Sequence, residues 1–186
     1  AGTGGAAGQG GSGGGAGAGG GAGASGAGGA GGAGGAGSPC GGIGGLQCDA
    51  SSYCDYPLDN CGASDALGTC KARPASCTGE VAPVCTCAGT VANNACEAAR
   101  VGSDVSLVNT CAPPEGTFAC GAQFCETAAQ YCQRTTSDVG GEPDSFSCRG
   151  LPSTCSVVNC ACLAGEVCGD QCAPTGGGLT LTCPGG

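Results

Sequence analysis

The chain has 186 residues, of which 20 are cysteine, and it contains three Phe but no Trp, Met or His. Its formal charge is −9, from 14 acidic and 5 basic side chains, and every charged residue lies after residue 48. These figures exclude Ser-His and Cys-His nucleophilic catalysis and His-containing metal sites, and make nucleic acid and anionic membranes poor partners.

With so few large apolar side chains an ordinary core is not expected, and cysteines stand in for the missing mass. Domains that bury too little surface are held by disulfides, each contributing about 2–4 kcal/mol, mainly by limiting the unfolded chain. That usage implies an oxidising compartment: secreted, periplasmic or cell-surface. No apolar run approaches the ~20 residues that span a bilayer. No signal peptide is evident, so a mature or trimmed product is expected.

Residues 1–39 read as a tether. The first 38 hold only Gly, Ala, Ser, Thr and Gln, with Ala27, Ala30, Ala33 and Ala36 separated by Gly-Gly pairs. Nothing in this segment offsets the entropy of ordering so much glycine, so a disordered, flexible linker is expected. Its mean span would be about 35 Å. The composition resembles the Gly/Ala/Ser spacers that follow the lipid-bearing cysteine of some bacterial surface lipoproteins. A lipid anchor would then belong to the precursor only.

From Cys40 the chain reads CGGIGGLQCDASSYCDYPLDNC, with cysteines at 40, 48, 54 and 61. Gly pairs, Asp-Asn and Pro between them leave room for short hairpins and turns. Asp49, Asp55 and Asp59 lack the Gly and Glu positions of a calcium loop and read as turn residues.

The next stretch, Cys70–Cys111, is CKARPASCTGEVAPVCTCAGTVANNACEAARVGSDVSLVNTC. Seven residues separate Cys77 from Cys85, and ten separate Cys85 from Cys96. With the local sequences PVC, NACEA and GSDVSL, this spacing resembles a Kazal-type serine protease inhibitor domain. The preceding hairpin segment is similar to the subdomain found before the Kazal part of follistatin-like modules. The resemblance implies that Thr78, Gly79, Glu80, Val81 and Ala82 belong to a protease-binding loop over 78–84. In such a loop Gly79 enters the specificity pocket, Thr78 and Glu80 flank the scissile bond and brace the loop by hydrogen bonding, and Asn94 supports it from beneath. It also implies disulfides Cys77–Cys96 and Cys85–Cys111. A short helix would begin at Asn94 and end at Gly102, followed by a last strand over Val105–Val108.

Several residues depart from that family. Gly79 offers no anchoring side chain, Ala92 replaces the usual core tyrosine, and the family's fifth cysteine is missing after Cys96. Cys87 is an extra cysteine that could take its place, so the resemblance implies Cys70–Cys87 as a substitute bridge and, by parity, leaves Cys40, Cys48, Cys54 and Cys61 to pair among themselves in any of three connectivities.

Residues 112–119 read as a linker and 120–186 as a divergent repeat of the same plan. CDASSYC at 48–54 is answered by CETAAQYC at 125–132, CKARPASC at 70–77 by CRGLPSTC at 148–155, and Cys85-Thr86-Cys87 by Cys160-Ala161-Cys162. Only four residues separate Cys155 from Cys160, too few for the same loop. Thr135–Ser147 should be an exposed loop, and Leu179–Thr182 alternates as a final strand beside Cys183.

The C-x-C pairs could suggest thiolate metal sites, but structural disulfides are the better reading, so no metal and no cofactor are expected. The expected fold class is small and disulfide-rich: short β-hairpins with one short helix in the Kazal-like module, then a second disulfide-rich module, mostly β and irregular. The expected role is not enzymatic. It is weak inhibition of an extracellular serine protease that accepts a small residue. The alternative is a non-inhibitory structural or adhesive surface protein, a disulfide-stapled knob on a stalk.

Overall fold

The computed structural model describes residues 33–108 and 110–185. Most of the predicted tether, residues 1–32, lies outside the described residues. Among the described residues, Gly34 and Gly37 are hydrogen-bonded although they lie inside the segment read as tether. The Gly34 N–H donates to Gln47 O at 3.0 Å, and the Gly37 N–H to Cys70 O at 2.7 Å.

The first sheet contains β1 (Pro39–Gly41), β2 (Ser52–Asp55) and β3 (Leu67–Ala72), antiparallel in the order β1-β3-β2. Its register sets Cys40 opposite Gly68 and Cys54 opposite Cys70. Opposed residues and i, i+2 neighbours share a sheet face, so Cys40, Cys54 and Cys70 point the same way. Cys40 pairs with Cys54, and Cys70 with Cys48. Gly68 must be glycine here, since a Cβ would press on Cys54 Sγ at 2.7 Å.

This corrects two expectations. Cys70 does not bridge to Cys87, because β3 runs through Cys70 and commits its sulfur to the hairpin face. Nor do the first four cysteines pair among themselves, since Cys61 reaches across to Cys87 and fastens the hairpin to the next segment. Cys77–Cys96 and Cys85–Cys111 are both formed.

A second sheet joins the two cysteine-rich stretches. It comprises β4 (Val84–Cys85), β5 (Val91–Ala92), β6 (Thr117–Cys120) and β7 (Gln123–Glu126), in the order β5-β4-β7-β6. Val84 pairs with Gln123, and the Cys85 N–H donates to Ala122 O at 2.7 Å. The packing explains the union. Phe124 packs against Cys85 and Cys111 of the earlier stretch, while Phe118 is fully buried with Cys120, Cys125 and Cys132. β6 therefore starts within the segment read as a linker.

The third sheet holds β8 (Gln130–Thr135), β9 (Ser145–Gly150), β10 (Cys172–Thr175) and β11 (Gly178–Cys183), in the order β10-β11-β8-β9. β11 runs parallel to β8. Leu179 and Leu181 are buried while Thr180 and Thr182 are half-buried, which is the alternation their sequence shows. They pack with Tyr131 and Leu163. The connection between β8 and β9 is closed by Arg134, whose Nε donates to Asp144 Oδ2 at 2.6 Å.

The only α-helix among the described residues is α1, Ala95–Val101. Val105–Val108 does not form the predicted strand. Val105 makes a single bridge to Thr86, and the Ser106 hydroxyl accepts from the Val108 N–H, so the chain turns instead of extending. The fold is small, cysteine-rich and mostly β, with all twenty cysteines paired in ten disulfides. Such chemistry belongs to an oxidising environment outside the cytoplasm. No helix among the described residues is long and apolar enough to cross a membrane.

Candidate functional site

Between Cys77 and β4 the chain leaves the sheets. Thr78, Gly79, Glu80, Val81 and Ala82 are all exposed and form no regular structure. Four ties hold this loop. The Cys77–Cys96 disulfide anchors its start to α1, with Cα atoms 5.7 Å apart. Farther along, the Ala82 N–H donates to Asn93 O at 2.8 Å, and Val84 pairs with Ala92. The fourth tie is Asn94.

Asn94 is buried at the helix N-terminus, where an asparagine side chain satisfies a backbone donor that the helix leaves unpaired. Its Oδ1 accepts from the Glu97 N–H at 2.8 Å. The Nδ2 of the same amide donates outward, to Glu80 O at 2.7 Å and to Thr78 O at 3.4 Å. One side chain thus caps α1 and grips the loop on both sides of Gly79. Thr78 and Glu80 were expected to brace the loop. Their backbone carbonyls do so, while among the described residues neither side chain makes a hydrogen bond within the loop.

The helix that carries Asn94 is itself positioned from both ends. Ala98 and Ala99 are buried, and Gly102 ends α1 at φ 93°, a left-handed conformation that glycine adopts without penalty. Arg73 packs against Gly102 and donates from Nε to Ser52 O at 3.0 Å, linking the helix end to β2. Beyond it, Asp104 is 6% exposed and accepts from the backbone N–H groups of Tyr56 at 2.7 Å and Val105 at 2.9 Å. Burial pushes the Asp104 carboxyl up to about 6, with a further push from Asp55 and Asp59, against the two N–H donors that favour the ionised form. Asp104 lies in the GSDVSL sequence, but its role as a clasp on Tyr56, 48 residues away, has no local signal.

Gly79 sits at the loop tip with open space around it. A Cβ there would meet nothing within 4 Å, and its φ lies outside the left-handed region. The position therefore accepts a side chain without strain.

The second stretch holds its counterpart differently. Asn159 caps the 3₁₀ turn Cys160–Leu163, its Oδ1 accepting from Cys162 N–H at 3.3 Å. Cys155 is drawn to Cys162 across seven residues, so no extended loop stands before this asparagine. The sulfurs of Cys40, Cys48 and Cys70 cluster within 4.8 Å, as do those of Cys120, Cys125 and Cys148. Each is bonded in a disulfide, whereas a metal ligand must be a thiolate. A groove of about 550 Å³ also lies between Pro57–Asp59, Leu107 and Glu142–Phe146. Among its carboxylates, Asp144 is already engaged by Arg134 and the Ser137 N–H.

No family model matches this chain, and no curated protein or solved structure does so either.

Proposed function

We propose that the 78–84 loop is the reactive loop of a Kazal-like inhibitor, directed at an extracellular serine protease that accepts a small residue. The observation that carries this reading is the Asn94 amide, which holds Thr78 O and Glu80 O together across Gly79. A loop held in an extended, exposed shape can add as a strand in a protease cleft through main-chain hydrogen bonds. Because its shape is set beforehand, little ordering entropy is lost on binding. Were the Gly79–Glu80 bond cut, Asn94 and the Cys77–Cys96 disulfide would keep both ends in place for religation.

Inhibition by the native chain is weak in this reading, since Gly79 supplies no anchor. Supplying one is the test. Gly79→Leu should tighten inhibition of an elastase- or subtilisin-like protease by roughly 30- to 1000-fold, the worth of a hot spot of about 2–4 kcal/mol. Inhibition constants measured for both forms against a small protease panel decide it. If neither form slows any member, the inhibitor reading fails.

The missing anchor favours a second reading, in which the protein is a structural or adhesive knob at a bacterial surface or in a secreted form. Pull-down from cell-envelope extracts separates the two, because only an inhibitor should capture a protease.

A further inference from the structure

Glu80 differs from the rest of the loop in having an uncommitted charge. Its carbonyl is held by Asn94, but its carboxylate is exposed and has no hydrogen bond or ion pair among the described residues. From Arg73 to Arg100 the only acidic residues are Glu80 and Glu97, and Glu97 is paired with Arg100 at 2.6 Å. Lys71 and Arg134 are likewise engaged, by Asp55 at 2.6 Å and Asp144 at 2.5 Å. The two remaining basic residues point into the fold's own hydrogen bonds, Arg73 to Ser52 O and Arg149 to Gln133 Oε1. The loop therefore presents one free charge, negative, directly after the bond a protease would attack, on a chain whose net charge is −9.

We propose that Glu80 is a specificity residue, and that the partner is a serine protease bearing Lys or Arg where the residue after the scissile bond docks. This rests on the inhibitory reading of the loop. Had the Glu80 carboxylate been tied to the Thr78 hydroxyl it would stiffen the loop and be spent. Left free and pre-positioned by its own carbonyl, it can form a charge-assisted hydrogen bond with the enzyme instead. The chain's acidic field adds steering, since like charges would slow an acidic protease and opposite charges would speed a cationic one.

The test uses the full chain and two serine proteases that share a preference for small residues but have opposite surface charge. The native chain and Gly79→Leu are each compared with and without Glu80→Gln, reading association rate and inhibition constant. The cationic enzyme should associate faster. Its association rate should fall about tenfold as salt is raised from ~20 to ~200 mM, where the screening length drops from about 20 Å to about 7 Å. Glu80→Gln should weaken its inhibition by about tenfold or more, and leave the acidic enzyme unchanged or better inhibited. Asp170→Asn, at an exposed acid in the second cysteine-rich stretch, should leave the inhibition constant unchanged. If Gly79→Leu inhibits both enzymes and Glu80→Gln affects them equally, the role of Glu80 is overturned while the inhibitory reading stands. If no form inhibits either enzyme, both fall together.

Discussion

The two cysteine-rich stretches begin alike and end differently. In the first, Cys40 pairs with Cys54 and Cys48 with Cys70; in the second, Cys120 pairs with Cys132 and Cys125 with Cys148. Both hairpins set cysteines directly opposite, Cys54 against Cys70 and Cys132 against Cys148. After the hairpin the designs part. The first stretch spends its next cysteines on holding an exposed loop against a helix, and the second on closing tight turns around Leu163. A shared hairpin thus supports two different end pieces. What separates them is the number of residues between cysteines, which decides whether a loop can stand free.

That contrast can be broken first at the disulfides. Removing Cys77–Cys96, which spans 19 residues, should cost about 3 kcal/mol, and removing Cys155–Cys162, which spans seven, about 2.5 kcal/mol. Urea unfolding of the paired Cys→Ala variants measures both. Only the first should also make the chain sensitive to cleavage between Thr78 and Ala82. Equal sensitivity at both sites would show that the loop is not held by its bridge.

The clasp between hairpin and end piece offers a second test. In the first stretch it is Asp104 on the Tyr56 N–H; in the second, Tyr131 donates to Glu166 at 3.2 Å. The Asp104 carboxyl lies above its ordinary value of 3.8, at about 6. The folded state therefore binds the proton more tightly than the unfolded one. This contribution is full below about pH 4 and is lost as pH rises through about 6, by at most about 3 kcal/mol. Asp104→Asn should flatten the fall in stability between pH 4 and 7. A profile that keeps the same slope in that variant would assign the effect elsewhere.

The smallest effect separates the two capping asparagines. Asn159→Ala should cost about 1 kcal/mol, the usual worth of a cap. Asn94→Ala should cost about 1 kcal/mol more, since it also frees two loop carbonyls. Thermal unfolding measures the difference, and amide exchange at Ala82 and Val84 should quicken only in the Asn94 variant.

Much of the candidate site was legible in the sequence through its Kazal-like resemblance. Asn94 and Gly102 mark the ends of α1 through capping and left-handed backbone preferences that act within one turn. The Kazal-like spacing of Cys77 and Cys85 implied an exposed loop over 78–84, and residues 78–82 are exposed. The alternation of Leu179–Thr182 marks β11 in the same way, because burial on one face is written into neighbouring residues.

Tertiary structure alone decided the rest. Whether Cys70 meets Cys48 or Cys87 depends on which sheet face its sulfur lies on, and so on a register set between distant strands. The joining of β4 to β7 depends on Phe124 finding the Cys85–Cys111 bridge. The same holds for Glu80, whose carbonyl is held by the Asn94 amide while its carboxylate makes no hydrogen bond or ion pair among the described residues. Propensity and spacing act over a few residues and can be read along the chain. Pairing is a relation between remote positions, and it exists only once the chain has folded.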